Sequence, residues 1–210
     1  MPKFRKKPVV IEAMQWTGSN IEELRVFGGR ELAQLCARAY RRATHETETV
    51  EALLEGDVLA FRGTDEGLDL FHTLWCRAWY SYPLGCLVHR GVYDAAWEWF
   101  DTFRAEFRTL PPLTITGHSL GGCYGLLVAY LMAWDGYPPS RLVTFGSPPV
   151  AGARLTAKRR IPATIYRGER DARSWGPPLP WWRLYRDHGR VITVPGCRHG
   201  RDEYARLVGH

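Results

Sequence analysis

A serine flanked by glycines lies where a predicted strand meets a predicted helix. The segment Gly117-His118-Ser119-Leu120-Gly121-Gly122 follows the β-rich residues 113–116 and precedes the apolar residues 126–134. A very tight turn from strand to helix forces the serine between them into a strained backbone conformation, and only small neighbours fit there without a clash. The sequence therefore predicts a nucleophile elbow. The Ser119 hydroxyl should stand above the sheet edge, beside the backbone N–H of Leu120 at the helix start.

Three further motifs accompany the elbow in a fixed order. Phe61-Arg62-Gly63-Thr64 and Thr144-Phe145-Gly146-Ser147-Pro148 each end a buried-strand pattern, and Val88-His89-Arg90-Gly91 lies between the first of them and the elbow. In this order and at these intervals, the four motifs resemble the class 3 (fungal-type) lipase family of α/β-hydrolases. The resemblance covers nearly all of the chain from about residue 31 onwards. It is strong through residue 149 and loose beyond.

Strands and helices alternate along the predicted chain. Hydrophobic spacing predicts helices over 31–42 and near 92–107 besides the elbow helix, and strands at 52–61, 142–145 and 163–167. Such alternation indicates a mainly parallel sheet with helices on both faces and ligands at the carboxyl ends of the strands. The predicted class is therefore α/β, in the α/β-hydrolase fold that the resemblance implies. We expect residues 1–210 to form one domain.

A serine hydroxyl is a poor nucleophile alone, so it needs a histidine base and a carboxylate that holds the base. In the α/β-hydrolase fold these partners follow the serine in the order acid, then histidine. Residues 165–171 read as a strand and a short turn with an acid at its tip, where the family carries its aspartate. Asp171 is the predicted acid, and Glu169 is the alternative. A solvated surface acid among neighbouring arginines is the third interpretation.

Two histidines compete for the role of the base. Residues 185–191 resemble a family stretch whose histidine packs beside the active site, whereas residues 197–204 resemble the later segment in which a histidine precedes an acid and a tyrosine on a helix. The prediction is His199, with His188 as the alternative. His210 lies at a chain end expected to fray. His118 is predicted to be a packed, hydrogen-bonded neighbour of the nucleophile.

The tetrahedral intermediate of acyl transfer needs hydrogen-bond donors for its oxyanion. The elbow predicts the Leu120 N–H as one donor, and the family resemblance implies the Thr64 N–H as the other, with its hydroxyl available as well. The alternative for Thr64 is a simple turn residue after a strand. Arg62 is predicted to tie neighbouring loops together rather than to act on substrate.

An aromatic-rich segment follows Thr64. Residues 68–79 carry apolar side chains where family lipases have a mobile lid, and such a segment could open at a lipid interface. Three tryptophans downstream could line the rim of the cleft: Trp175, Trp181 and Trp182. Ordinary packing is an equal alternative for all these aromatic side chains. The expected partners are an ester substrate and, transiently, a lipid interface.

Charge is divided unevenly along the chain. Residues 1–140 carry 14 Lys and Arg against 17 Asp and Glu, and residues 141–210 carry 14 against 5, so net charges of −3 and +9 give the total of +6. The basic final third could favour anionic lipid head groups, or it is a solvated surface. Because no helix-turn-helix, zinc or RNP-type pattern occurs, we expect no nucleic-acid partner.

The cysteines and the N-terminal residues indicate where in the cell the protein is expected. The five cysteines lack metal-type spacing, so reduced thiols in a cytoplasmic protein are expected, with a Cys76–Cys86 bridge as the alternative. The string KKPVVIEAMQW at residues 6–16 resembles the start of small tailed-phage proteins, and we expect residues 1–18 to be an extension or an edge strand. No signal peptide or membrane span is predicted.

These patterns together predict ester hydrolysis through an acyl-enzyme, without metal or cofactor. Ser119, Asp171 and His199 are the predicted triad, and Thr64 and Leu120 are the predicted oxyanion donors. Two other functions stay open. One is a non-catalytic phage accessory or binding protein on a hydrolase scaffold, and the other is an esterase that acts on a non-lipid ester such as that of a cell wall.

Overall fold

The computed structural model describes residues 21–64, 78–155, 161–171 and 184–208, with the side chains of 21–27 left out. Several predictions lie outside the described residues. They are the extension 1–18, all of the lid segment except Ala78 and Trp79, the cysteine pairing through Cys76, the rim residues Trp175, Trp181 and Trp182, and His210.

The described residues form four helices and eleven strands. The helices are α1 (Ile21–Ala39), α2 (Arg90–Phe107), α3 (Leu120–Trp134) and α4 (Arg201–Leu207). The strands are β1 (His45–Glu46), β2 (Glu51–Glu55), β3 (Val58–Phe61), β4 (Ala78–Ser81), β5 (Cys86–His89), β6 (Thr114–His118), β7 (Arg141–Phe145), β8 (Ala151–Gly152), β9 (Ala163–Gly168), β10 (Tyr185–Arg186) and β11 (Arg190–Val194).

A seven-stranded sheet forms the centre, in the order β1-β2-β3-β6-β7-β9-β11. The five strands from β3 to β11 are parallel neighbours, whereas β1 and β2 join antiparallel at one edge. Phe61 of β3 and Thr144 of β7 both stand opposite Gly117 of β6, so the carboxyl ends of these strands are level. Loops that leave this edge therefore meet at one place.

Helices cover both faces of the sheet, as predicted. Residues of α2 and α3 form one core cluster with β3 and β6, and residues of α1 and α4 form a second with β7 and β9. Along β3 the alternation is visible, because Leu59 and Phe61 face the first cluster and Ala60 faces the second. Helix α3 is buried from Leu120 to Ala133, which its apolar sequence requires.

Two predicted boundaries were wrong. The single strand expected over 52–61 is a hairpin of β2 and β3, in which Glu55 pairs with Val58 across a two-residue turn. Gly56 supplies the positive φ of 63° that such a turn requires. Helix α1 begins at Ile21 and ends at Ala39 rather than spanning 31–42.

A second sheet was not predicted. It is antiparallel, with the strand order β10-β8-β5-β4, and its strands have only two to four residues. Strands this short do not leave a readable alternation of hydrophobic residues.

No helix among the described residues has the length and apolar character needed to cross a bilayer.

Candidate active site

Ser119 occupies a strained turn between β6 and α3. Its φ of 55° and ψ of −125° make it the one non-glycine residue with positive φ in the described part of the chain. Such a conformation is rarely populated and persists only where the surroundings enforce it. The Ser119 N–H donates to the carbonyl of Phe145 at 2.9 Å, which anchors the turn to the end of β7. The predicted elbow geometry is therefore present.

Glycines around Ser119 allow backbone segments to approach closely. A Cβ on Gly117 would overlap the backbone of Gly121, and a Cβ on Gly121 would overlap the carbonyl oxygen of Phe61. A Cβ on Gly122 would lie 2.6 Å from the Cβ of Ser147. Three of the four sequence motifs thus meet at the elbow. A side chain at any of these glycines would push the motifs apart.

A chain of hydrogen bonds joins Ser119 to His199 and Asp171. Ser119 Oγ lies 2.8 Å from His199 Nε2, and His199 Nδ1 lies 2.8 Å from Asp171 Oδ1. A carboxylate only accepts, so Nδ1 carries the hydrogen and Nε2 is free to accept from the serine hydroxyl. This is the tautomer that a base for Ser119 needs.

Adjacent parallel strands bring the acid and the histidine together. Arg170 N–H donates to the carbonyl of Cys197 at 3.0 Å, so the turn after β9 and the loop after β11 run side by side. Asp171, at the end of that turn, is 1% exposed. Its second oxygen accepts from the Tyr204 hydroxyl at 2.7 Å. A buried carboxylate needs such donors, because burial of a charge without partners is strongly unfavourable.

Tyr204 was not singled out from the sequence, although it supports the acid. Its hydroxyl accepts from the Gly168 N–H at 2.6 Å while donating to Asp171. Burial and the nearby Asp171 carboxylate raise the pKa of Tyr204, so the hydroxyl keeps its proton and stays a donor. The signal in the sequence was the tyrosine on the helix that follows His199.

The two alternative residues lie in other surroundings. The Glu169 carboxylate accepts from the Gly196 N–H at 3.0 Å and is exposed. His188 donates through Nε2 to the carbonyl of Ala151 at 3.1 Å, and burial lowers its pKa. The structure therefore does not bring Glu169 or His188 into the hydrogen-bonded chain with Ser119.

A cleft of about 580 Å³ opens beside His199. Its described lining includes Thr64, His118 and the start of α4. A Cβ on Gly63 would lie 3.4 Å from the Ser119 Cβ, so the turn that carries Thr64 adjoins Ser119. Leu120 is the first residue of α3. Both predicted oxyanion donors therefore belong to segments that meet at Ser119.

Arg62 makes a contact between two strands of the central sheet. The Arg62 guanidinium donates to Glu51 at 2.6 Å, which ties the end of β3 to β2.

The four cysteines among the described residues are free and buried: Cys36, Cys86, Cys123 and Cys197. Within the same residues, His, Cys, Asp and Glu form no group suited to a metal ion.

Comparison with known proteins identifies the family. The model of the family described as Lipase (class 3) matches residues 58–167, just over half of the 210 residues. The chain belongs to the class 3 lipase family. The matched region contains Ser119 and Thr64 but ends before Asp171 and His199.

Similar proteins agree with this membership. "Phospholipase A1 PLIP2, chloroplastic" of Arabidopsis thaliana is 34% identical over 38% of this chain, and the match spans 13% of the plant protein's own length. A lipase of Rhizopus microsporus var. chinensis superimposes with a TM-score of 0.65, 18% identity, and coverage of 89% of this chain and 78% of its own. The triacylglyceride lipase of Rhizomucor miehei superimposes with a TM-score of 0.62 and 22% identity. The match covers 85% of this chain and 82% of the fungal chain. These structures confirm the α/β-hydrolase fold of this chain.

Proposed function

We propose that this protein is a serine hydrolase that cleaves carboxylic esters of lipids. The observation that carries the proposal is the continuous chain Ser119–His199–Asp171, with both contacts at 2.8 Å. Nucleophile and base lie within hydrogen-bond reach, and a buried carboxylate orients the base. In this proposal Ser119 is the nucleophile, His199 the general base and Asp171 the residue that stabilises the imidazolium.

The first half of the reaction transfers the acyl group to the serine. Ser119 Oγ attacks the ester carbonyl while His199 Nε2 takes the hydroxyl proton, and the carbonyl π electrons move to the oxygen. The N–H groups of Thr64 and Leu120 donate to that oxyanion. The intermediate then collapses, the bond to the alkoxy oxygen breaks, and His199 gives its proton to the departing alcohol. The acyl group remains on Ser119 as an ester.

The second half repeats these steps with water. His199 takes a proton from a water molecule, whose oxygen attacks the acyl carbon and forms a second tetrahedral intermediate. Collapse of this intermediate breaks the bond to Ser119 Oγ, which recovers its proton from His199, and a carboxylic acid leaves. Every proton moves through His199, so the cycle needs neither metal nor cofactor.

Lipids are the substrate class that the similarities favour. The family is one of lipases, and the similar proteins include a phospholipase A1 and a triacylglyceride lipase. Exposed aromatic side chains on β4 and in the turn after it support contact with a lipid surface: Trp79 at 49%, Tyr80 at 48% and Tyr82 at 87% exposure. Indole and phenol rings suit the boundary between apolar and wet surroundings.

The test compares acyl chain length in the purified protein. We expect hydrolysis of p-nitrophenyl butyrate and laurate to exceed that of the acetate, with a further rise when the substrate forms micelles. Ser119→Ala should abolish all three activities while the circular dichroism spectrum is unchanged. Activity restricted to acetate would indicate a non-lipid ester, and absence of activity in the folded wild type would favour a non-catalytic binding protein.

A further inference from the structure

His118 touches no reacting atom, yet it contacts the segment that carries the base. Its Nε2 lies 2.7 Å from the backbone carbonyl oxygen of His199, and its Nδ1 lies 3.0 Å from the hydroxyl of Tyr40. The ring is buried, with only 5% of the residue exposed. Tyr40 follows α1 directly, so one imidazole joins the elbow to two other parts of the chain.

The chemistry of these partners determines the state of the ring. A carbonyl oxygen only accepts, so Nε2 carries a hydrogen and donates it to His199. In a neutral ring Nδ1 is then an acceptor, and the Tyr40 hydroxyl donates to it. The carbonyl thus selects the Nε2–H tautomer, and in that tautomer the Tyr40 hydroxyl is the donor of the second bond.

The surroundings of His118 keep its ring neutral. Burial above all, and then the nearby His199, lower the pKa of His118 to about 3, with a small further lowering by Arg201. The backbone contact to His199 and the Asp171 carboxylate act in the opposite direction. The Tyr204 ring, 5.8 Å away between centroids, also faces the imidazole. The ring is therefore uncharged throughout the pH range in which a histidine base works.

We propose that Tyr40 and His118 are positioning residues that hold the backbone of His199 at a set distance from Ser119. The inference rests on the proposed function and names two residues that act through the base rather than on substrate. His118 is the chain neighbour of Ser119, so its bond to His199 links the backbone of the nucleophile to the backbone of the base.

A second contact reinforces this link. The guanidinium of Arg201, two residues after His199, lies 4.1 Å from the centroid of the Tyr40 ring. Tyr40 is thus linked to the His199–Arg201 segment in two ways, indirectly through His118 and directly through a cation–π contact. Displacement of a base by about 1 Å can slow an enzyme about 100-fold, so a small movement of this segment would be visible in kcat.

Substitution of His118 tests the first bond. In His118→Met we expect kcat on p-nitrophenyl butyrate to fall about 100-fold with KM unchanged, because substrate contacts remain while the base is less well placed. His118→Gln retains an N–H that can reach the same carbonyl and should recover most of kcat. The matched control is His188→Met, which also removes a bond from a partly buried imidazole to a backbone carbonyl but lies outside the chain to Ser119. It should lower kcat less than about tenfold.

Tyr40→Phe tests the second bond and keeps the test valid if His118→Met does not fold. Loss of the hydroxyl should lower kcat about fivefold, which corresponds to one neutral hydrogen bond. In the His118→Met background the same change should have no further effect. Tyr124→Phe is the control, because its buried hydroxyl has no hydrogen-bond partner among the described residues.

Nitrogen NMR of the imidazoles provides a readout that does not depend on turnover. In the Ser119→Ala protein, His118 should be the neutral Nε2–H tautomer from pH 5 to pH 8. A protonated ring or the Nδ1–H tautomer would overturn the proposal, as would a wild-type kcat in both Tyr40→Phe and His118→Met. If the wild type itself is inactive on every ester, the proposed function fails, whereas the tautomer measurement still decides the contact.

Discussion

His199 and His188 follow consecutive strands in the last part of the chain, yet their surroundings differ at both ring nitrogens. His199 has a carboxylate on Nδ1 and a serine hydroxyl on Nε2, each at 2.8 Å. His188 has a backbone carbonyl on Nε2, and its ring packs 6.3 Å from that of Tyr130. His199 lies beside a carboxylate in space, and His188 follows one in sequence. The presence of a nearby carboxylate therefore does not distinguish the two histidines.

The difference lies in which group the neighbouring carboxylate binds. Asp187 precedes His188 directly, but its two oxygens accept from the buried Arg167 guanidinium at 2.7 and 3.1 Å. Asp171 instead receives the ring N–H of His199 and the hydroxyl of Tyr204. An arginine neutralises a carboxylate, whereas a tyrosine hydroxyl leaves its charge in place to stabilise an imidazolium. In the proposed mechanism, the partner of each acid therefore separates the role of His199 from that of His188.

The largest expected effect separates the two histidines directly. His199→Ala should lower kcat by a factor on the order of 10⁴ to 10⁶, because a triad acts as a unit and only oxyanion donors and binding remain. His188→Ala should lower kcat less than about tenfold. Single-turnover rates of the two folded variants provide the measurement. An inactive His188→Ala beside an active His199→Ala would reverse the assignment.

Substitution of the two acids sharpens the same comparison. Asp171→Asn should lower kcat about 10⁴-fold with little change in KM, since an amide no longer holds the required tautomer or stabilises the imidazolium. Asp187→Asn should mainly lower the melting temperature, because it leaves the buried Arg167 without its carboxylate. Steady-state kinetics and thermal unfolding of both proteins distinguish these outcomes. Equal losses of kcat in the two variants would contradict the distinction.

A smaller effect is expected at the second partner of Asp171. Tyr204→Phe removes one donor from a buried carboxylate and should lower kcat about tenfold, since hydrogen bonds to charged groups contribute roughly 1.5–3 kcal/mol. The pH profile of kcat/KM should shift as well, because Asp171 then stabilises the imidazolium differently. Tyr130→Phe, at the ring beside His188, is the matched control. A Tyr204→Phe enzyme with wild-type kcat and pH profile would show that this bond is only structural.

The smallest effect concerns stability as a function of pH. Burial lowers the pKa of His188 below its ordinary value of 6.5, so the unfolded chain binds this proton first as the pH falls. The contribution of the neutral ring to stability is therefore complete above about pH 6.5 and is lost as the pH falls toward the folded pKa. His188→Gln should give a shallower decline of the unfolding free energy from pH 7 to pH 5 than the wild type. An unchanged slope in denaturant titrations would contradict this.

Much of the central sheet and the elbow could be predicted from the sequence, because they depend on local patterns. Buried parallel strands read as apolar runs, and the elbow needs small residues at set positions around Ser119. The β2–β3 hairpin was missed because the apolar pattern continues on both sides of the Gly56 turn. Two strands of the second sheet have only two residues each, too few to show an alternation of hydrophobic side chains.

The site was less accessible to sequence reasoning where it depends on long-range contacts. Asp171 and His199 could be chosen only through resemblance, since nothing local distinguishes them from Glu169 and His188. Tyr40 is 78 residues from His118 in the chain, and no pattern links the two positions. Such a contact exists only because α1 packs on the sheet beside the elbow.

The most direct test of the account is labelling of the folded protein with a fluorophosphonate, followed by mass spectrometry of the modified peptide. This reagent requires an activated serine and is independent of the natural substrate. The account predicts one adduct, on Ser119, formed rapidly in the wild type and in His188→Ala and lost in His199→Ala and Asp171→Asn. Rapid labelling of His199→Ala, or a folded wild type in which Ser119 stays unmodified, would contradict the claim that Ser119 is a nucleophile activated by His199.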